Sequence, residues 1–403
     1  MSNNAFVDTK YKWVMFTFIF CMGFSANYSQ FQVSAFAVDV MQEFSMNTTQ
    51  LASVVTGQGL AAGAMGLIAG LLMDKFGSKR VIAICSFVAA GCAMLRASAG
   101  SYAMLLALSL PAGIMMGVAL AGLGKIVAAW FPQRQHGMAF GAYTAGNGLG
   151  TASAQAFSGM YGSYKSALLG AGILLLAVAV FWTAFAKNRP AGSVAPPPGE
   201  SMFKNLGLMV KRKNVWFASM GSTCFIVVLM VTSSFTPVAL ATVRGLDRGT
   251  AGFYSSFLNI GIVLGSIPIS TFAQRIGKVR TTLLVSTLIG SILSFVTWFI
   301  PTGAMYAVAR LLAGFFVGPG NPLFMATIPR LSEVGQKYAG TANGIMAASN
   351  QFFGTFIIPT LVIAPLAGTN YTLTCAMAMA FGLIMPLMAW LLPDISAGKT
   401  AKE

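Results

Sequence analysis

Twelve stretches of 20 to 28 residues, almost wholly apolar or small, follow one another along this 403-residue chain. They run roughly 13–37, 50–73, 79–98, 102–129, 136–160, 164–186, 215–240, 249–273, 280–299, 304–328, 339–364 and 370–392. An apolar run of 18 residues or more is long enough to cross a bilayer. In lipid, such a run must be helical, because only a helix satisfies its own backbone polar groups there. The stretches therefore predict an all-α membrane protein with twelve transmembrane helices. Composition agrees: 56% of residues are hydrophobic and 8% charged, against roughly 25% charged in a soluble protein. Lys10 and Lys12 lead into the first run with no small-residue cleavage site, so no removable signal peptide is expected. The five cysteines lie in apolar stretches without paired spacing and read as helix-packing residues.

One long polar interruption, between the sixth and seventh stretches, holds "NRPAGSVAPPPGES", a Pro/Gly/Ser segment unable to form a helix. The basic "MFKNLGLMVKRKN" that follows reads as a short helix lying on the membrane surface. The expected plan is an N-terminal six-helix bundle over 1–187, a cytoplasmic linker over 188–214, a C-terminal six-helix bundle over 215–393 and a cytoplasmic tail over 394–403. The net charge of +16 does not point to nucleic acid in such a chain, because basic residues collect in cytoplasmic loops. With both termini inside, nineteen of the 25 Lys and Arg residues fall on the cytoplasmic side. Four (Arg96, Lys165, Arg244 and Arg248) fall outside, and Lys125 and Arg310 remain within spans. This asymmetry sets the orientation, with both termini in the cytoplasm of a multi-pass protein of the cell membrane.

Charges that do occur are patterned. "GLLMDKFGSKR", residues 70–80, places Gly70, Asp74, Lys75, Gly77, Lys79 and Arg80 between the second and third spans. Two hundred residues on, "STFAQRIGKVR" matches it with Arg275, Gly277 and Arg280. At an offset of 203, Gly137, Gly141 and Asn147 match Gly340, Gly344 and Asn350. The halves read as copies of one six-helix unit, a plan that secondary transporters share, with substrate bound near mid-membrane at the repeat interface. Gly77 permits a tight turn, and Asp74 stands where it can pair with a cation or a helix N-terminus. Such a latch, worth roughly 1–3 kcal/mol, biases two conformations without freezing either.

With these residues the sequence resembles the major facilitator superfamily over essentially its whole length. Residues 70–80 are similar to that family's signature between helices two and three, G-x-x-x-D-R/K-x-G-x-R/K-R/K, and "WFPQRQHGMAFG" to the stretch joining helices four and five. "RLLAG", from Arg310 to Gly314, is similar to an R-x-x-x-G element of several subfamilies. The second copy of the signature departs from it at Gln274, which replaces the acid. The resemblance implies two bundles related by a pseudo-two-fold, alternating access, and gating by Gly70, Asp74, Gly77, Arg80, Arg275, Gly277 and Arg280. It also implies a central cavity bordered by helices 1, 2, 4, 5, 7, 8, 10 and 11.

Enzyme chemistry is excluded. The single histidine, His136, lies in a loop, all nine acids fall in loops, tails or span ends, and there is no GxxxxGK[ST] loop. No cofactor or metal is expected. Lys125 and Arg310 stand inside spans without a carboxylate partner, each at a cost of ~2.5–3.5 kcal/mol or more, which points to an anionic substrate. Snorkelling and helix–helix contacts are the alternatives for both. Asn27, Gln30 and Ser34 share a face of the first span with Tyr28 adjacent, and Gln58, Asn147, Asn350 and Gln351 add amides. All of these are candidate substrate ligands, and interhelical hydrogen bonding is their alternative. G-x-x-x-G spacings in spans five and eleven read as helix packing.

The expected function is secondary active transport of a small organic anion, a carboxylate, by a monomer in the lipid bilayer, with a counter-transported anion or a proton as coupling partner. "MFKNLGLMVKRKNVWF" resembles the same region of monocarboxylate and oxalate/formate-type members. "AGNGLGTASAQ" resembles a nitrate-transporter signature, although the arginines that family uses in helices two and eight are absent. Nitrate or nitrite transport, drug or metabolite export, and a transporter-like membrane sensor are the alternatives.

Overall fold

The computed structural model describes residues 10–132, 135–188 and 202–393, and no strand occurs among them. The expected cytoplasmic tail over 394–403 and most of the Pro-rich linker lie outside the described residues. Contacts divide the chain into two units, one of residues 1–46 and 53–198, the other of residues 47–52 and 199–403.

In the first unit the chain folds into α1 (Lys12–Ala35), α2 (Ala37–Glu43), α3 (Thr48–Phe76), α4 (Ser78–Leu95), α5 (Tyr102–Trp130), α6 (His136–Ala156) and α7 (Tyr164–Phe185). The second contains α8 (Met202–Met209), α9 (Lys213–Arg244), α10 (Arg248–Arg275), α11 (Val279–Val296), α12 (Ala304–Val317), α13 (Gly320–Thr327) and α14 (Gly335–Ser349). A π-helical segment (Asn350–Ile363), α15 (Ala364–Ala367) and α16 (Tyr371–Leu391) complete it. Joined end to end where they are continuous, these make twelve long helical runs that coincide with the twelve apolar stretches. Among the described residues nine helices are long and apolar enough to cross a membrane.

Helices start where local chemistry supplies the missing acceptors. Ser101 and Ser163 accept the backbone N–H of Met104 and Ser166 at the heads of α5 and α7. Asp247 accepts from Thr250 at 2.9 Å to cap α10, and that N–H holds its carboxyl below the usual carboxylate range.

Small residues decide which helices touch. A methyl added to Gly23 of α1 would stand 2.6 Å from the Tyr143 carbonyl of α6, and one on Gly150 would stand 2.2 Å from Phe24 O. In the second unit Gly261 and Gly265 of α10 interleave with Gly314 of α12 and Gly318 just after it, each abutting the opposing backbone within 2.6 Å of the missing Cβ. In span five, Gly146 and Gly150 provide the close packing against α1. Gly340, in span eleven, has nothing within 4 Å of the position a Cβ would take, so the packing expected of that glycine is not made there.

Each unit has its own core. In the first, Phe18, Ile19, Ile82, Leu123, Trp130 and Trp182 come together from α1, α4, α5 and α7. In the second, Phe225, Leu258, Leu283, Phe324 and Met385 do the same from α9, α10, α11, α13 and α16. The segment expected to lie on the membrane surface does form the helix α8. Its Met209 is fully buried in the second core, so it is anchored to that bundle rather than resting free in the linker.

Candidate functional site

The polar stripe of α1 is buried: Asn27, Tyr28, Gln30 and Ser34 are each at most 8% exposed. In lipid-facing or packed helices, such groups must find partners. Asn27 Nδ2 donates to Asn147 Oδ1 of α6 at 2.9 Å and to Gly23 O at 3.2 Å. Gln30 Nε2 donates to Val55 O of α3 at 3.0 Å, while its Oε1 has no partner. Tyr28 faces a different direction from Asn27. Its hydroxyl meets that of Tyr161 at 2.8 Å, and its ring continues a stacked column with Phe20 and Phe24. Gln58 of α3 is fully buried, and neither atom of its amide has a hydrogen-bond partner. An open, buried donor and acceptor on one side chain is the mark of a place that takes water or a ligand.

The repeat-matched asparagine of the second unit works as its first-unit counterpart does. Asn350 Nδ2 donates to Ser222 Oγ at 2.9 Å, and its Oδ1 accepts from Thr223 Oγ1 at 3.1 Å. Ser222 in turn donates to Asn321 Oδ1 of α13 at 2.7 Å. Asn147 thus fastens α6 to α1, and Asn350 fastens the start of the π-helical segment to α9. Gln351 Oε1 accepts from Thr355 Oγ1 at 3.1 Å on its own helix.

The cations are placed differently from one another. Lys125 Nζ donates to Gly70 O at 2.9 Å, in the last turns of α3 where carbonyls and the helix dipole favour a cation. This is the helix–helix contact among its alternatives. Arg310 is 3% exposed. Its Nη2 donates to Thr236 Oγ1 of α9 at 3.2 Å, and its Nε has no partner. It lines a small cavity inside the second unit with Thr232, Ser291, Ser294 and Cys375, with room for about one water molecule. Thr236 lies thirteen residues beyond Thr223, or about 20 Å along α9 at 1.5 Å per residue, so Arg310 and Asn350 are not brought together.

Arg96 is the residue that sequence reasoning missed. Counted above as an outer-loop cation, it is fully buried at the end of α4. Its Nη2 donates to Ser29 Oγ at 2.6 Å and to Ser29 O at 3.1 Å, while Nε and Nη1 have no partner. The signal was present in "AMLRASAG", where Arg96 stands amid small and apolar residues within an apolar span. Arg244, also counted as exterior, donates to Trp298 O and to Ile300 O and lies over the Trp298 and Tyr306 rings, with centroids 5.5 and 5.1 Å away.

Both signature loops turn on glycine. Gly77 has φ 83° and Gly277 φ 69°, backbone that side chains other than glycine rarely adopt. Asn188 Oδ1 accepts from Lys79 N at 2.8 Å, and Trp182 Nε1 donates to Lys79 O at 3.1 Å, tying the first loop to the end of α7. Arg280 donates to Trp390 O of α16, so each loop is fastened to the last long helix of its own unit. Arg80 and Arg275 are exposed, and the side chain of Asp74 lies outside the described residues.

Two units of long apolar helices, each closed around its own core and carrying buried polar groups, define a polytopic helical membrane protein. The model of the Major Facilitator Superfamily matches residues 15–359 and 238–402, and the chain belongs to that superfamily. It is 23% identical to a probable sulfoacetate transporter of Cupriavidus necator, over 94% of this chain and 95% of that one. It is 33% identical to a probable nitrate/nitrite antiporter of Thermus thermophilus, over 27% of this chain and 25% of the other. Among solved structures, a point mutant of the nucleoside transporter NupG superposes with a TM-score of 0.75 at 15% identity, covering 95% of this chain and all of that one. A bacterial homologue of the human lysosomal transporter Spinster, inward-facing and unoccupied, gives 0.72 at 14%, covering 96% and 95%. Both likenesses are of fold.

Proposed function

We propose that this transporter moves a small organic anion bearing a carboxylate across the cell membrane by alternating access, as a monomer with both termini in the cytoplasm. One observation carries the reading. Arg96 and Arg310 are buried guanidinium groups with unmet N–H donors, and no carboxylate among the described residues pairs with either. A buried charge without an ion-pair partner gives its surroundings a positive potential, strongest where water is excluded. An anion crossing such an interior is favoured, and a cation is repelled. The relatives named for sulfoacetate and for nitrate/nitrite support the same sign of substrate.

In this reading Asn27, Gln30, Ser34, Gln58, Asn147, Asn350 and Gln351 are substrate ligands, and the amide of Gln58 is one with neither atom already engaged. The signature residues Gly70, Asp74, Gly77 and Arg80, with Arg275, Gly277 and Arg280, govern the exchange between states. The test is counterflow into liposomes with the purified protein, offering acetate, propionate, oxalate, malonate, sulfoacetate and nitrate against neutral and cationic solutes. Saturable exchange of a carboxylate supports the proposal. Exchange of nitrate alone would favour the inorganic-anion reading that the Thermus relative suggests, and exchange of cations alone would overturn the anion reading.

A further inference from the structure

Each half holds a buried positive charge near repeat-matched positions of its first long helix, by different means. Ser29 of α1 and Thr232 of α9 are 203 residues apart, the offset that relates Asn147 to Asn350, Trp13 to Trp216 and Cys21 to Cys224. Ser29 accepts both hydrogen bonds of Arg96, and Thr232 lines the cavity that holds Arg310, whose own bond goes to Thr236 one turn further on. Arg96 comes from the end of α4 and Arg310 from α12. Neither is a copy of the other: the same offset takes Arg96 to Phe299, and it takes Ala107 to Arg310. What the two halves share is the charge against this face of α1 and α9, not the residue that supplies it.

That face is turned away from the amide stripe. At 100° per residue Ser29 stands about 160° around α1 from Asn27, about 140° from Ser34 and about 100° from Gln30. With a helix ~10 Å across, the guanidinium of Arg96 lies roughly one helix diameter from an anion on the stripe, beyond contact. Arg310 is likewise enclosed, in a cavity with room for about one water and none for an organic acid. Field strength is not lost at that range. A unit charge ~10 Å away at an effective dielectric of about 20 changes the affinity of a monoanion roughly tenfold, and that of a dianion roughly a hundredfold.

We infer that Arg96 is a selectivity-determining cation of this transporter, acting through the field across α1 rather than by touching substrate. The inference rests on the anionic-substrate reading above. A field and a contact are separable, because a field acts on charge number and a contact on shape. The experiment measures competition by isethionate and sulfoacetate, a monoanion and a dianion of nearly equal size, in the counterflow assay with the full-length protein. Arg96→Met should weaken isethionate roughly tenfold and sulfoacetate roughly a hundredfold. Arg96→Lys should restore both, since it keeps the charge and loses the fork. Arg96→Gln keeps a donor toward Ser29 without the charge, and it decides the matter if the Met variant does not fold. Equal losses for the two anions, no loss, or failure of the Lys rescue would overturn the inference while leaving anion transport standing. Absence of any anion binding by the wild-type protein would remove both.

Discussion

Gly23 has no room for a methyl group. An added Cβ would fall 2.6 Å from both the Tyr143 carbonyl and the Asn147 Oδ1, and the first of these is backbone that cannot swing aside. Gly91 on α4 has nothing within 4 Å of the same position. Forcing a methylene into a close-packed contact costs about 1–3 kcal/mol. Gly23→Ala should therefore lower the thermal unfolding midpoint in detergent by several degrees and Gly91→Ala should leave it within about a degree. The clash also displaces Asn147, so the bond between Asn27 and Asn147 should loosen with it. A Gly23→Ala protein as stable as the parent would contradict the observed α1–α6 separation.

At the scale of elements, the two signature loops are unequal copies. Gly77 combines φ 83° with ψ 144°, a region close to glycine-only, and a Cβ there would meet Asn188 Nδ2 at 3.3 Å. Gly277 has φ 69°, and its loop is held from Arg280 to Trp390 instead. A non-glycine residue in such backbone costs roughly 1–3 kcal/mol. Gly77→Ala is expected to reduce maximal counterflow several-fold with little change in half-saturating concentration, and to do so more than Gly277→Ala. Asp74→Asn belongs to the same class of effect under the proposed gating role, slowing exchange more than it weakens binding. Equal loss of affinity and turnover in these variants would place the loop at the substrate rather than at the gate.

For the whole molecule, the question is what drives accumulation. Moving one negative charge inward against the membrane potential costs ~2.3 kcal/mol per 100 mV. A carboxylate or histidine in mid-membrane is a common proton carrier, yet the acids among the described residues occupy helix ends and loops. Asp39 lies in the first turn of α2 and Glu43 at its end, Asp247 caps α10, and Glu333 precedes α14. Anion exchange, or a proton carried on the substrate carboxylate itself, meets the cost without a protein carrier. Uptake into liposomes should then depend several-fold on the anion loaded inside and should survive any single Asp or Glu substitution. Proton-driven uptake that disappears in Asp39→Asn alone would refute this.

The sequence alone determined the number and place of the long helices, because a 20-residue apolar run has one stable form in lipid and its ends are marked by charge, glycine and serine. It also determined the family and the turns at Gly77 and Gly277, since those rest on residue types at fixed spacing. It did not determine where the lone cations go. A side chain near a helix end can reach the surface, cap a neighbouring helix or turn inward, and spacing along one helix does not distinguish these. Tertiary structure decided among them: Lys125 bonds the Gly70 carbonyl of α3, Arg310 turns into its own bundle, and Arg96, which reads as an outer-loop residue, is enclosed against Ser29. It likewise separated Tyr28 from Asn27 and paired Asn27 with Asn147, 120 residues away. The reason is that burial and hydrogen-bond partners belong to neighbouring helices, and which helices are neighbours is set by where glycine lets two backbones meet.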